Sequence, residues 1–497
     1  MRTQNPQGNP LLGIIKKVGI LTVSTTISQA LSFLFGMVLV RHISINEFAV
    51  YRQGLLIITV AFACILVLNP VSLSYFLAKG IPDQDQRRYI SQTVMFSNLL
   101  CLIGSGGIFI LKGGIVSSFN NPNIGKYLAL FAIWGFFENS ISFYPYFMIV
   151  RSRLMRLTVV TVSFSFLRIV ALLISIRLGS SVFNTFILMN IILLFLKYLV
   201  SHYDVGRDML IPLRSFSFSL FRTQMAFAFP IYVSTLIMML NSNIDKLYVS
   251  VSYPDFKYAI YSIGAFEIPF VSAVGGSILA IMIPEIARLY DGKRQDVLDQ
   301  LIQTYRKILV ACFCFSLPLA MVLVLFSSGV IELLFTTKYL DANNLFKIYC
   351  CTSILTSINL GALITAAGRQ NEIVKSGILM LISNVMVLIA VRHSLGFDWL
   401  TLGPLFALIV AYLYNLAVVK SAYLQRSLLS LFPLKALAEC IGISFVCSLP
   451  FRYLYVAFGN GRKPILVGAC FGAFLLGLIS CWLIVHRSIA PAEARYV

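Results

Sequence analysis

Charge is what this sequence has least of. Of its 497 residues, 12% are Asp, Glu, Lys or Arg, while 59% are apolar and the mean hydropathy is +0.87. A soluble domain is charged over roughly a quarter of its residues, so too little charged surface exists to cover several such domains. That excludes a large soluble enzyme, a disordered regulator and a nucleic-acid binder. Histidine is scarce, at four residues, and no pair of the ten cysteines has metal-ligand spacing beside one. Cys64, Cys101, Cys312, Cys314, Cys440, Cys447, Cys470 and Cys481 fall inside apolar runs and read as small apolar residues, so no metal site is expected. No G-x-x-x-x-G-K-[ST] loop exists, so ATP is not the expected direct driver. Ser, His and acidic residues cluster in no loop, which leaves no catalytic constellation. No cofactor is implied.

What is abundant is long apolar runs. A membrane-spanning helix needs about 20 apolar residues. Fourteen stretches qualify, near 18–40, 54–78, 90–111, 127–149, 157–176, 181–200, 223–245, 258–284, 307–335, 345–366, 374–391, 399–419, 436–457 and 464–485. The chain thus reads as an all-α integral membrane protein. No A-x-A-like cleavage site follows the first run, which is expected to be retained. Leu11–Lys17 before it reads as an interfacial segment with lysines at the headgroups. Lys and Arg outnumber Asp and Glu by 39 to 19. Counted over the loops, they favour the side that holds both termini by about two to one, so both ends are expected in the cytoplasm.

The chain repeats itself. Ala49-Val50-Tyr51-Arg52-Gln53-Gly54 opens the second run and Ala259-Ile260-Tyr261-Ser262-Ile263-Gly264 the eighth. An acidic-aromatic pair precedes each, Glu47-Phe48 and Asp255-Phe256. Pro70 and Tyr75 match Pro284 and Tyr290, and Arg151-Ser152-Arg153 matches Gly368-Arg369-Gln370 in order. An even number of spans separates the copies, so the repeat is parallel, about an axis along the membrane normal. The expected domains are a lobe over 1–203, a cytoplasmic linker over 204–222, a second lobe over 223–423 and two further helices over 424–497.

On these residues the chain resembles the multidrug/oligosaccharidyl-lipid/polysaccharide (MOP) exporter superfamily. Pro230, Asn241-x-x-x-Asp245-Lys246, Ala259-Ile260-Tyr261, Ile283-Pro284-Glu285-Ile286-Ala287-Arg288 and Gly368-Arg369 carry the resemblance, which covers nearly the whole chain. Within the superfamily it is most similar to the O-antigen-type (Wzx-like) flippases of the polysaccharide-transport branch. Drug exporters of the superfamily typically carry an acidic residue in the first helix, and lipid II flippases an Arg-x-x-Gly-x-x-Arg-Asp-like run. Val18–Val40 has neither, only Gln29 to Gly36 and then Arg41. The resemblance implies a bacterial inner-membrane flippase for a polyprenyl-diphosphate-linked oligosaccharide, coupled to an ion gradient. Membrane lipids, a polysaccharide polymerase and chain-length proteins are the implied partners, with no nucleic acid.

Polar residues inside the runs are the candidate site. A mid-span charge costs at least about 2.5 kcal/mol on insertion scales, so it normally faces protein or water. Arg168 is central in the fifth run, on a stripe with Thr161, Ser165 and Ser175, and Glu138 is central in the fourth. They read either as a structural ion pair or as a cavity in which Arg168 binds a diphosphate and Glu138 positions it. Gln29 and Asn241 sit on polar stripes of the first and seventh runs, facing either a cleft or a neighbouring helix. Arg41 and Arg52 bracket a first outer loop of about ten residues, as interface anchors or as phosphate-attracting groups, and Lys246 occupies the matching end of the second lobe. Glu267, followed by Pro269, Gly275-Gly276 and Pro284, is the leading candidate for ion coupling, ahead of Glu138 and Asp245. Two rivals remain: an ion-coupled multidrug or cation antiporter, and a membrane-embedded polymerase or glycosyltransferase. The short first outer loop counts against the second, and a scaffold for polysaccharide enzymes is a third option.

Overall fold

The computed structural model describes residues 10–67, 70–78, 82–119, 121–179, 181–209, 216–266, 295–356, 360–366, 369–423, 432, 434–458 and 463–489. Throughout these the secondary structure is helical. Among the described residues ten helices are long and apolar enough to cross a membrane, eleven if one bent pair counts as a single span. Their surfaces suit lipid: Ile110 is 81% exposed, Tyr453 73% and Leu413 63%. Such residues would be a liability in water and face acyl chains in a bilayer. All ten cysteines are free.

The remaining sequence-expected spans are broken or only partly described. The run near 127–149 divides into α6 (Ile124–Ser140) and α7 (Tyr144–Val150). Pro145, second residue of α7, has no N–H to give to the Ile141 carbonyl, so one helix stops and another starts. The run near 307–335 bends by 85° between α12 (Gln295–Leu325) and α13 (Ser327–Phe335). Arg452, on α18 (Leu434–Phe458), donates to the Leu325 carbonyl there and lies 5.9 Å from the Phe326 ring. The run near 345–366 comprises α14 (Asn343–Thr356) and α15 (Gly361–Ala366), with residues 357–359 outside those described. The run near 258–284 begins as α11 (Asp255–Gly264); residues 267–294, with Glu267, lie outside the described residues.

Three helix boundaries differ from the sequence reading. The backbone is one helix from Pro10 to His42 (α1), so Leu11–Lys17 is continuous with the first span. The ten-residue first outer loop is absent. Ser44 caps α2 (Ile45–Ile65), its hydroxyl accepting from the Glu47 N–H at 3.2 Å while the Glu47 carboxylate accepts from the Ser44 N–H at 2.8 Å. That reciprocal box starts α2 directly after α1 and puts Arg52 well inside a helix rather than at a loop edge. Likewise α9 (Val182–Met209) runs past 204, so the expected linker begins as helix.

The chain divides into two compact units. The first comprises Met1–Asn243 and Ser250–Ala259; the second Ile244–Val249 and Ile260–Val497. In the first, α1, α2, α4 (Asp83–Ile110), α6, α8 (Leu154–Leu178) and α9 pack around aromatic side chains. Trp134, Phe131, Phe143, Phe147, Phe183 and Phe186 are all fully buried. Its α2 approaches α6 so closely that a Cβ on Gly54 would lie 2.3 Å from the Phe131 ring. In the second unit α12, α17 (Leu402–Tyr423), α18 and α19 (Lys463–Ile489) enclose a core that includes Tyr305, Phe313, Leu317 and Val419.

The repeated hexapeptide has the same structural job in each unit. Its last residue is a close-approach glycine: Gly54 against Phe131, and Gly264, where a Cβ would lie 2.4 Å from that of Leu345. Its tyrosine meets a polar group in the apolar interior. The Tyr51 hydroxyl accepts from Arg168 at 3.0 Å, and the Tyr261 hydroxyl donates to Asp245 at 2.7 Å. The preceding acids belong to helix starts: Glu47 to the box above, and Asp255 to the Phe256 N–H at 2.8 Å.

Candidate functional site

The site in the first unit is built around Arg168. It lies on α8, and its guanidinium carbon is 4.4 Å from the centroid of Phe35 on α1 and 5.3 Å from that of Trp134 on α6. Phe35 packs on Phe186 of α9 at 5.1 Å, and Tyr51 of α2 on Trp134 at 6.2 Å. Four helices thus supply rings that hold a cation from a fifth. Cation–π contact contributes about 2 kcal/mol where the cation is desolvated, and it constrains the guanidinium plane. Tyr51 takes one N–H, leaving most of the fork free to act outward.

That free side opens on a cavity of about 100 Å³. Its lining includes Ser32 of α1, Glu138 of α6, Ser165 and Arg168 of α8, and Asn190 and Lys197 of α9. Glu138 and Arg168 therefore share one cavity without forming an ion pair. Trp134 separates their commitments, because its indole N–H donates to the Glu138 carboxylate at 2.5 Å, one turn along the same helix. Ser165 turns its hydroxyl back to the Thr161 carbonyl at 3.0 Å.

Lys197 and Asn190 were not singled out by the sequence. Lys197 looks like the basic end of the sixth run, where a lysine is expected at a headgroup. In the structure α9 continues for three more turns beyond it. The available signal was spacing: Phe186, Asn190, Leu193 or Leu194, and Lys197 lie at i, i+4, i+7 or i+8, and i+11, one face of a helix.

The other candidates lie elsewhere. Gln29 is half-buried on α1, its side-chain carbonyl buried without a hydrogen bond among the described residues. Arg41 is exposed at the end of α1. Arg52 is half-buried, and its backbone carbonyl accepts from Tyr258 at 3.3 Å. Asn241, 8% exposed on α10 (Phe218–Ser252), returns its amide to the Ile237 carbonyl at 3.0 Å. Asp245 is 1% exposed and Lys246 half-buried, and both belong to the second unit. None of these lines the Arg168 cavity. Among the described residues no group of three or more His, Cys, Asp or Glu could hold a metal ion.

Residues 38–344 match the family described as "Polysaccharide biosynthesis protein". No curated protein matches the sequence. Among solved structures, the chain is similar to the lipid II flippase MurJ in an inward closed conformation. The TM-score is 0.70 at 13% identity, over 95% of this chain and 100% of that one. It is also similar to an inward-facing multidrug resistance MATE family transporter of the MOP superfamily, with a TM-score of 0.61 at 17% identity over 82% and 99% of the two chains. For the bent form of the Vibrio cholerae MATE transporter VcmN the TM-score is 0.53 at 15% identity, over 82% and 98%. At such identities these likenesses speak for fold. More than half of the sequence matches the family and nearly all of it adopts the exporter architecture, so the chain is a multi-pass membrane protein of the polysaccharide biosynthesis family, with the fold of the MOP superfamily.

Proposed function

We propose that this protein is a flippase. It carries a polyprenyl-diphosphate-linked oligosaccharide of O-antigen type from the cytoplasmic to the periplasmic leaflet of a bacterial inner membrane. The observation that carries the reading is the Arg168 guanidinium, held inside the membrane by Phe35, Trp134 and Tyr51 and presented to a cavity shared with Lys197. A membrane protein keeps two cations at that depth where they meet an anion or a polar cavity. A diphosphate is such an anion, and arginine matches its oxygens bidentately. The family match and the fold shared with a lipid II flippase support the same reading.

Movement follows by alternating access, with the lipid tail left in the bilayer and the headgroup passed along polar groups. Arg41, Arg52, Gln29, Asn241 and Lys246 are the further proposed contacts along that path. An ion gradient is the driver, through Glu267, Glu138 or Asp245. Both termini are cytoplasmic, a polymerase and chain-length proteins receive the product, and no bond is made or broken.

Deletion and complementation test the proposal. Deletion should leave lipid-linked oligosaccharide on the cytoplasmic leaflet and remove surface polysaccharide. Arg168→Ala at normal protein level should fail to complement, and Arg168→Lys should complement in part. Full complementation by Arg168→Ala would defeat the assignment of Arg168. Deletion without precursor accumulation would defeat the flippase. The antiporter reading draws on the MATE likeness and on the Glu138 carboxylate in the cavity. It requires loss of drug efflux on deletion, with surface polysaccharide unchanged.

A further inference from the structure

The cavity beside Arg168 contains more than a cation. Two of its donors are buried and have no hydrogen-bond partner among the described residues: the Arg168 Nε–H and the Asn190 side-chain amide. Asn190 is only 3% exposed. An unpaired buried donor costs about 1–3 kcal/mol, and these two belong to residues of different helices that line this one space. Lys197 adds an ammonium group to the same lining. Against two positive charges stands one carboxylate, Glu138, which accepts from Trp134 and pairs with neither cation. The lining is therefore net positive by one charge and rich in donors.

Volume restricts the occupant. The cavity offers about 100 Å³ and is only partly enclosed. That is room for one tetrahedral oxyanion or one halide, with any sugar of a larger headgroup left outside it. Water alone would accept from the donors but would leave the charge uncompensated. A metal cation would add to the charge already there and would meet N–H groups.

We infer that the cavity formed by α1, α6, α8 and α9 is an anion subsite the size of one phosphate group, with Arg168 Nε, Asn190 Nδ2 and Lys197 Nζ as its donors. The inference deepens the flippase reading by assigning this subsite a single phosphoryl or small inorganic anion, and its test does not require transport. The anion comes either from solution or from a polyprenyl phosphate headgroup that reaches in from the membrane.

Trp134 reports on occupancy, because its ring lies against Arg168 and its N–H holds Glu138. The other tryptophans, Trp399 and Trp482, are 44% and 58% exposed, so Trp399→Phe with Trp482→Phe leaves Trp134 as the sole indole. The full chain, purified in detergent, is titrated with sodium phosphate, and with sodium gluconate at matched ionic strength as control. In nanodiscs it is titrated with a short-chain polyprenyl monophosphate. The expected result is a saturable change in Trp134 emission with phosphate, with the lipid, or with both; the arm that responds identifies the source. Asn190→Leu should weaken binding about tenfold, as should Lys197→Met, the loss typical of one charge-assisted hydrogen bond. Lys197→Arg should retain it. A phosphate-dependent rise in the unfolding temperature of the unsubstituted chain is the second readout, independent of the tryptophan changes. The inference is overturned if neither anion alters emission or unfolding temperature. It is equally overturned if binding survives both Asn190→Leu and Lys197→Met undiminished. Either result leaves the flippase reading to its own complementation test.

Discussion

Tyr51 and Tyr261 occupy the same position in the two hexapeptides, yet they serve groups of opposite charge type, so removing each hydroxyl should have an unequal cost. Arg168 is half-buried and keeps two ring contacts, at 4.4 and 5.3 Å, after Tyr51→Phe. The cavity can also admit water to the freed N–H. The expected loss is that of one modest hydrogen bond, about 1 kcal/mol. Asp245 is 1% exposed, and Tyr261→Phe takes from it a hydroxyl donor at 2.7 Å. A buried group left short of a partner costs up to about 3 kcal/mol. With units the size of these, 1 kcal/mol moves the midpoint by about 2–4 °C, so Tyr51→Phe should lower it by about 2–4 °C and Tyr261→Phe by about 6–12 °C. Thermal unfolding in detergent, followed by loss of the monodisperse gel-filtration peak, measures both. Double-mutant cycles with Arg168→Met and Asp245→Asn should give coupling in each pair. Equal shifts, or a larger shift for Tyr51→Phe, would refute the argument that cavity access and ring contacts cushion Arg168.

Close packing gives a second ordering. Gly54→Ala places a Cβ 2.3 Å from a Phe131 ring carbon, and Gly264→Ala places one 2.4 Å from the Leu345 Cβ. A ring can swing whereas a Cβ moves only with its backbone. Gly264→Ala should therefore be the more destabilising, each costing about 1–3 kcal/mol or more. Gly106→Ala, with nothing within 4 Å, should stabilise α4 by about 0.5–1 kcal/mol, and the same unfolding assay checks all three. At the end of α9, Asp204 accepts from Arg156 at 3.1 and 3.2 Å and from Tyr144 at 2.8 Å. The Arg156 side chain is 50% exposed, so Asp204→Asn should cost only about 1 kcal/mol, and the difference from wild type should shrink in high salt.

Composition alone determined that this chain lives in a membrane, because lipid demands long apolar runs with their backbone bonds satisfied internally, and that demand is written in every stretch of about 20 residues. The repeat was legible too, since a glycine needed for close approach and a tyrosine needed for a polar partner recur in fixed order. Even Arg168 stood out, as a charge too costly to leave facing acyl chains. Its surroundings did not. The Glu138–Arg168 ion pair suggested by matching depth gives way to Trp134 on one side and Tyr51 on the other. Lys197 was not singled out because hydropathy ended its run about nine residues before the helix ends. Arg52 passed for a loop residue because a capping box is a local hydrogen-bond geometry that hydropathy does not register. Depth and periodicity are properties of one helix and can be read along the chain. Which ring shields which cation, and which polar residues line one shared cavity, depends on how five helices separated in sequence turn their faces, and only tertiary packing decides that.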